Sequence, residues 1–174
     1  MNFSSIIITG PESSGKTALA VFLSKRIKLP LCPEYAVTYL SEHGPVYQYS
    51  DLIKIAKGQA GAEYQLLKSH PSIICDTSML VLKVWSEVRF MKADPFIIRE
   101  LEKRKGALYL LCKPDLPWEA GLFRENPTDR DELYLRYYHW LKDNNCLFTV
   151  ISGTGVNRKI VAINFLREYT HLAI

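Results

Sequence analysis

The sequence predicts an α/β fold, a central parallel sheet covered by helices on both faces. Three observations carry this prediction. Short apolar runs alternate along the chain with segments whose apolar residues recur at helical spacing, the alternation that builds βαβ units. The runs are apolar throughout instead of alternating, as strands buried on both faces are. Glycines or acids (Gly10, Glu34, Asp76, Asp115 and Gly153) stand at the ends of five such runs, where open α/β sheets gather their ligands. A chain of 174 residues, 48% hydrophobic and 23% charged, suits one globular domain over 1–174, with neither repeats nor an interdomain linker.

The first strand is expected over 3–9, from the run Ile6-Ile7-Ile8, and a helix over 16–28, from the stripe Leu19, Phe22, Leu23 and Ile27. Between them Gly10-Pro11-Glu12-Ser13-Ser14-Gly15-Lys16-Thr17 matches G-x-x-x-x-G-K-[ST], the phosphate-binding loop, in the strand–loop–helix setting the motif requires. Gly10 and Gly15 let the backbone curl so that successive N–H groups face phosphate oxygens, and the helix start adds its positive dipole end. Lys16 is placed to reach the β- and γ-phosphates and the Thr17 hydroxyl to ligate Mg²⁺. The stretch therefore predicts a P-loop NTPase fold that takes a nucleoside triphosphate with Mg²⁺.

A short strand over 29–33 ends at Glu34, and its prolines argue against a long one. A helix over 35–43 is stopped by Gly44-Pro45. Ser50 is expected to cap a long helix reaching Ser69, with Leu52, Ile55, Gln59, Ala62 and Leu66 on one face. Two readings of Gln59 stay open, a hydrogen-bonded core amide or a substrate contact. A buried strand over 72–76 ends in Asp76, placed like a Walker B acid or, alternatively, as the N-cap of the following helix, which carries Trp85. Asp94-Pro95 opens another helix, and 107–112 is a strand. The stretch 113–130 is rich in Pro and Gly, carries Arg124 and Arg130, and is long enough to serve as a lid. Thr128-x-x-Asp131 resembles a capping box for a helix with Leu133, Tyr137, Trp140 and Leu141 on one face. A strand over 147–152 and the turn Gly153-Thr154-Gly155 lead into the last helix.

A net charge of +4 is modest, and the densest charge run, Arg99 to Lys105, mixes signs along a helix. That reads as a solvated face and excludes no partner but supports no nucleic-acid binding. Cys32, Cys75, Cys112 and Cys146 are scattered, with no Cys-x-x-Cys pair and no His at ligand spacing, which argues against a metal cage and for reduced thiols. No signal peptide and no membrane-spanning apolar run is visible. A cytoplasmic protein without membrane or nucleic-acid partners is expected; its oligomeric state is not legible.

Phosphoryl transfer asks for charge neutralisation and in-line positioning. Lys16, with Mg²⁺ held by Thr17 and Asp76, supplies part of that charge. Glu34 can accept the proton of an attacking hydroxyl as general base, or else it caps the helix behind it. Arg124 and Arg130 are candidates for arginines that close over the transferring group, the alternative being a surface role. Gly153, at its strand end, joins Gly10 to Thr17 as a candidate nucleotide contact. Asp76-Thr77-Ser78-Met79 lacks the glycine of a D-x-x-G switch and no N-K-x-D is present, so a small-molecule kinase fits better than a GTPase.

Over nearly its whole length the chain resembles the ribosylnicotinamide kinase domain of the bacterial NadR family, P-loop kinases of the AAA-like ATPases. The resemblance rests on Glu12-Ser13-Ser14-Gly15-Lys16-Thr17, Glu34-Tyr35-Ala36, Gly58-Gln59, Cys75-Asp76-Thr77, Val84-Trp85-Ser86, Pro117-Trp118-Glu119 and Arg124-Glu125-Asn126-Pro127. It implies transfer of the ATP γ-phosphate to the 5′-hydroxyl of nicotinamide riboside, giving nicotinamide mononucleotide. It also implies a five-stranded sheet of order 2-3-1-4-5, and a nucleoside pocket bordered by Glu34, Tyr35, Gln59, Asp76 and Trp85. Tyr35 and Trp85 would flank the aromatic ring, and an indole face suits a cationic one. Three positions depart from the family's pattern. Val37 stands where Arg is usual, and Ser78 and Gly121 where Asp is usual. Each loses a charge near the presumed pocket, which predicts weak activity on nicotinamide riboside and a gain from restoring Asp at 78 and 121. The chain begins close to the first strand, so the family's DNA-binding and adenylyltransferase domains are expected to be lacking. The alternatives are a kinase for another nucleoside or small alcohol, and an ATP-binding regulatory module without catalysis.

Overall fold

The computed structural model describes residues 3–121, 125 and 128–170. The strands are β1 (Ser5–Thr9), β2 (Leu31–Cys32), β3 (Ile73–Asp76), β4 (Leu108–Cys112) and β5 (Leu147–Ile151). They form one five-stranded sheet in the order β2-β3-β1-β4-β5, and every pairing is parallel. The helices are α1 (Lys16–Ile27), α2 (Tyr35–His43), α3 (Tyr49–Ser69), α4 (Met79–Phe90), α5 (Pro95–Glu102), α6 (Arg130–Asp143) and α7 (Gly155–Tyr169). The α/β class and the strand order expected from the sequence are both met.

Successive strand residues face opposite sides of a sheet, and the two sides have separate cores. Ile6 and Ile8 of β1 join Ile74, Leu108 and Leu110 under α1 and α7, among Leu19, Leu23, Ala162 and Leu166. Ile7 joins Cys75, Tyr109 and Leu111 on the other side, under α3 to α6, among Leu52, Ile55, Leu80, Ile97 and Leu141. The strands are apolar on both faces because helices cover both.

Several local expectations shift. β2 contains only Leu31 and Cys32, because Pro30 and Pro33 cannot donate ladder hydrogen bonds. α3 starts at Tyr49, one residue ahead of Ser50, and its N-cap is Gln48. Gln48 and Asp51 cap each other reciprocally, with the Gln48 backbone N–H donating to Asp51 Oδ2 at 2.9 Å. At α6, Thr128 is not the cap: its hydroxyl donates to Asp129 Oδ1 at 2.8 Å, and Asp129 holds the N-cap position without a side-chain cap bond. Asp94 and Pro95 do open α5, with Asp94 Oδ1 accepting from Phe96 N at 2.8 Å.

Asp51 carries a testable pH dependence. The Gln48 amide first, then Lys54 and the Tyr39 hydroxyl, hold its carboxyl down at about 2. A depressed carboxyl stabilises the folded state above its unfolded value and stops doing so as pH falls through the folded one. Asp51→Asn is therefore expected to lower Tm at pH 7. The difference from wild type should vanish as pH falls from about 3.9, the ordinary aspartate value, to about 2. Thermal unfolding followed across that range by circular dichroism checks it.

Candidate nucleotide-binding site

The phosphate loop follows β1, in the middle of the sheet. Gly10 has φ +131°, and a Cβ there would lie 2.5 Å from the Cys112 carbonyl oxygen, so the loop leaves β1 in contact with the end of β4. Ser14 Oγ donates to the Pro11 carbonyl at 2.6 Å, and Gly15, left-handed at φ 77°, starts α1 with no side-chain cap. The first amides of α1 are thus left to serve the loop. Lys16 Nζ lies back across the loop and donates to the Pro11 carbonyl at 2.7 Å.

The register pairs Ile8 of β1 with Asp76 of β3, which sets Asp76 beside the start of α1. It is 4% exposed. Burial pushes its carboxyl up, against the opposing pull of the Thr17 hydroxyl hydrogen bond and the Lys16 charge. Its Oδ1 is buried and, among the described residues, has no hydrogen-bond partner. A buried orphan acceptor calls for an explanation. A hydroxyl and a carboxylate side by side are hard oxygen donors that fit Mg²⁺, and Thr17 and Asp76 would hold it. The next residue, Thr77, has φ 69°, an unfavourable conformation for a β-branched residue of the kind that collects at functional sites. Its N–H donates to the Ile8 carbonyl at 3.0 Å, tying the turn after β3 to β1.

A cleft of about 1010 Å³ opens from this loop. Gly10 to Thr17 line one end; Val37 and Leu40 of α2, Val81, Val84, Trp85 and Val88 of α4, and Leu133 and Tyr137 of α6 form an apolar wall at the other, and Glu34 also lines it. Lys16 is the only cation among the described lining residues, against the acids Glu12, Glu34, Glu119 and Glu125. The Trp85 indole N–H donates to the Tyr47 hydroxyl at 2.8 Å, and that hydroxyl donates to Glu125 Oε2 at 2.7 Å. Burial, followed by the Glu125 carboxylate, raises the Tyr47 phenol to about 12.

The described part of 113–130 lies on the phosphate loop. Glu12 accepts from Trp118 Nε1 at 3.4 Å and from Glu125 N at 3.1 Å, and Ser13 Oγ accepts from Glu119 N at 3.3 Å. Arg130 Nη1 donates to the carbonyls of Leu116 at 3.0 Å and Ser13 at 3.4 Å. Its guanidinium thus fastens the segment to the loop instead of reaching into the cleft. Arg124 lies outside the described residues.

The structure brings Lys16, Thr17, Glu34 and Trp85 together on the cleft, with Asp76 just beneath. Tyr35 and Gln59, expected at the nucleoside pocket, do not line it. The Tyr35 ring sits on Gly58, where a Cβ would lie 2.1 Å from it. Gln59 is 2% exposed; its Oε1 accepts from Tyr35 N at 2.9 Å and its Nε2 donates to Glu63 Oε1 at 3.1 Å. The core-amide reading of Gln59 is the one the geometry supports. Gly153 is also off the cleft, its N–H donating to Asp115 Oδ2 at 2.6 Å. Of the three positions that lose a charge, Val37 and Gly121 line the cleft. Ser78 does not: it is buried behind it, donating to Glu63 Oε1 at 2.8 Å.

Two residues went unnoticed in the sequence. Arg158, 6% exposed, donates to the Ser14 carbonyl at 2.6 Å, to Asp115 Oδ1 at 2.5 Å and to the Gly153 carbonyl at 3.1 Å, joining the loop to the ends of β4 and β5. Glu63 is buried on α3 and accepts from Arg104 Nε at 2.7 Å. Both signals were present. Arg158 stands four residues before the core residue Ala162, and Glu63 four after Gln59, so each is a charge on the buried stripe of its helix.

Fold and site together define a P-loop NTPase. The chain belongs to the AAA domain family, whose model matches residues 5–159. A search of curated proteins returns no significant match. Among solved structures, NadR in complex with NR superposes with a TM-score of 0.81 at 19% identity, over 99% of this chain and 52% of that one. NadR in complex with NAD and AMP-PNP gives 0.74 and 19%, over 99% and 51%. The chain therefore spans about half the length of the NadR chains. Thymidylate kinase from Ehrlichia chaffeensis gives 0.62 at 16% identity, over 98% and 100%.

The position of Ser78 reverses one expectation. Ser78→Asp puts an acceptor-only carboxylate against the buried Glu63 carboxylate, so it should destabilise the fold, by at least about 1–3 kcal/mol for the lost donor alone. It should bring no gain in kcat/KM, alone or with Gly121→Asp. Urea denaturation of the single variant, alongside kinetics of both, checks this.

Proposed function

We propose that the chain is an ATP-dependent kinase for an unphosphorylated nucleoside, with nicotinamide riboside the first candidate acceptor. The observation that carries the reading is Glu34, an acid on the same cleft as the phosphate loop and next to an apolar, aromatic wall. Glu34 occupies the N-cap position of α2 and lines the cleft, within reach of an acceptor bound there as a general base would be. NadR, solved with NR and with AMP-PNP, shares the fold and so supports the choice of acceptor and donor.

The chemistry follows from the residues in place. Lys16 exchanges the Pro11 carbonyl for the β- and γ-phosphate oxygens. Mg²⁺, held by Thr17 and Asp76, would supply further positive charge to those oxygens. Glu34 takes the proton from the acceptor hydroxyl as its oxygen bonds to the γ-phosphorus, while the bond from that phosphorus to the β–γ bridging oxygen breaks and ADP leaves. Trp85 and the valines of α4 offer a planar, apolar seat for the base, and the four cleft glutamates favour a neutral or cationic ring over an anionic one. An acceptor that already carries phosphate would meet acids and, among the described lining residues, no cation but Lys16. The described part of 113–130, bonded to Glu12 and Ser13 through Trp118, Glu119 and Glu125, would act as a lid that keeps water out.

Three measurements test this. Lys16→Ala is expected to abolish transfer while leaving the circular dichroism spectrum and Tm unchanged; retained ATP affinity and turnover would remove the basis of the reading. Glu34→Gln should lower kcat by ~10²–10⁴-fold with little change in ATP affinity; if it turns over normally while Asp76→Asn does not, the base is Asp76. In a panel of nucleosides, binding of ATP–Mg²⁺ without phosphorylation of any of them would make the chain a regulatory module.

A further inference from the structure

Beneath the cleft, and lining no part of it, lies a buried polar network centred on Glu63. Its Oε2 accepts from Arg104 Nε at 2.7 Å, and Arg104 is braced in turn by Glu100 Oε2 at 2.9 Å. Its Oε1 takes two further donors. One is the Ser78 hydroxyl at 2.8 Å, the other Gln59 Nε2 at 3.1 Å. Each donor continues toward the cleft. Ser78 is the N-cap position of α4 and lies two residues after Asp76, across the left-handed Thr77. Gln59 Oε1 receives the N–H of Tyr35 at 2.9 Å, the residue that follows Glu34 and begins α2.

We infer that Glu63 is a positioning residue for both site acids: through Ser78 it sets the turn that aims Asp76, and through Gln59 it sets the start of α2 that aims Glu34. Its catalytic consequence rests on the kinase reading above; its effect on the two turns does not. A carboxylate suits this place because both turns approach it with donors, and Arg104 balances its charge on the far side. A buried acid is costly unless paired and hydrogen-bonded, and Glu63 has both kinds of partner. α3 therefore ties the two strand ends, after β2 and after β3, at one point.

The two arms can be cut separately in the full chain. Ser78→Ala removes the arm to Asp76, Gln59→Leu the arm to Glu34, and Glu63→Gln weakens both. Manganese affinity in the presence of ADP, read by electron paramagnetic resonance, should fall ~10–100-fold in Ser78→Ala and Glu63→Gln, the range for groups that support metal ligands, and should hold in Gln59→Leu. Exchange protection of the Tyr35 amide, read by NMR, should be lost in Gln59→Leu and Glu63→Gln and kept in Ser78→Ala. All three should lower kcat with KM for ATP unchanged. Lowered Tm with manganese affinity, Tyr35 protection and kcat per folded molecule all preserved would overturn the inference and leave Glu63 as a core ion pair only. If Glu63→Gln does not fold, the other two variants, which keep the Glu63–Arg104 pair, decide it. A wild-type protein that phosphorylates no nucleoside overturns the kinase reading, and the manganese and exchange measurements then support or overturn the positioning on their own.

Discussion

Everything near the cleft depends on where β1 sits. It runs between β3 and β4, pairing Ile8 with Asp76 on one side and Thr9 with Leu111 on the other. Parallel hydrogen bonding fixes these partners, because a slip of one residue would turn every side chain of a doubly buried strand to the wrong core. With that register the phosphate loop leaves the sheet one residue beyond Thr9 and passes against the Cys112 carbonyl, where only glycine fits. Asp76 then lies beside Lys16 and Thr17 at the start of α1. The acid and the phosphate loop, 59 residues or more apart along the chain, meet because two neighbouring strands end level.

The same region holds two uncomfortable groups. Asp76 is buried with one oxygen unpartnered among the described residues, and Thr77 adopts a conformation that costs a β-branched residue free energy. Both lie at the turn that follows β3, beside the start of α1. The surrounding structure holds them in place. The Thr77 N–H is bonded to β1, Arg158 clamps the phosphate loop to β4 and β5, and the Glu63 network supports the turn from below. Strain at the site and over-determination around it go together.

The cleft is asymmetric in charge. Its phosphate end has backbone amides and Lys16, while its lining carries four glutamates. Glu12 belongs to both parts, being a phosphate-loop residue that accepts hydrogen bonds from Trp118 and from the Glu125 backbone. Tyr47 links Glu125 onward to Trp85. The phosphate loop, the described part of the covering segment and Trp85 of the apolar wall are therefore joined by one run of hydrogen bonds.

Local signals were legible in the sequence. The glycines of the loop, the apolar strands, the helix period of α3 and the Asp94-Pro95 start of α5 depend on neighbours a few residues away, and the structure has them where the residues place them. Caps were less legible: Gln48 displaced Ser50 because its partner Asp51, three residues on, completes a reciprocal bond that a serine inside the first turn cannot make. What only the tertiary structure decided is the role of each polar residue. Gln59, Ser78 and Glu63 are polar residues at or beside helical positions that could face either a cleft or a core, and the sequence does not say which. The choice is made by what packs opposite. Arg104 arrives from the end of α5 to neutralise Glu63, so these three become a buried support, while Val37 and Gly121 are left to line the cleft. Burial of charge requires a partner, and that partner lies 41 residues away, beyond the reach of any local pattern.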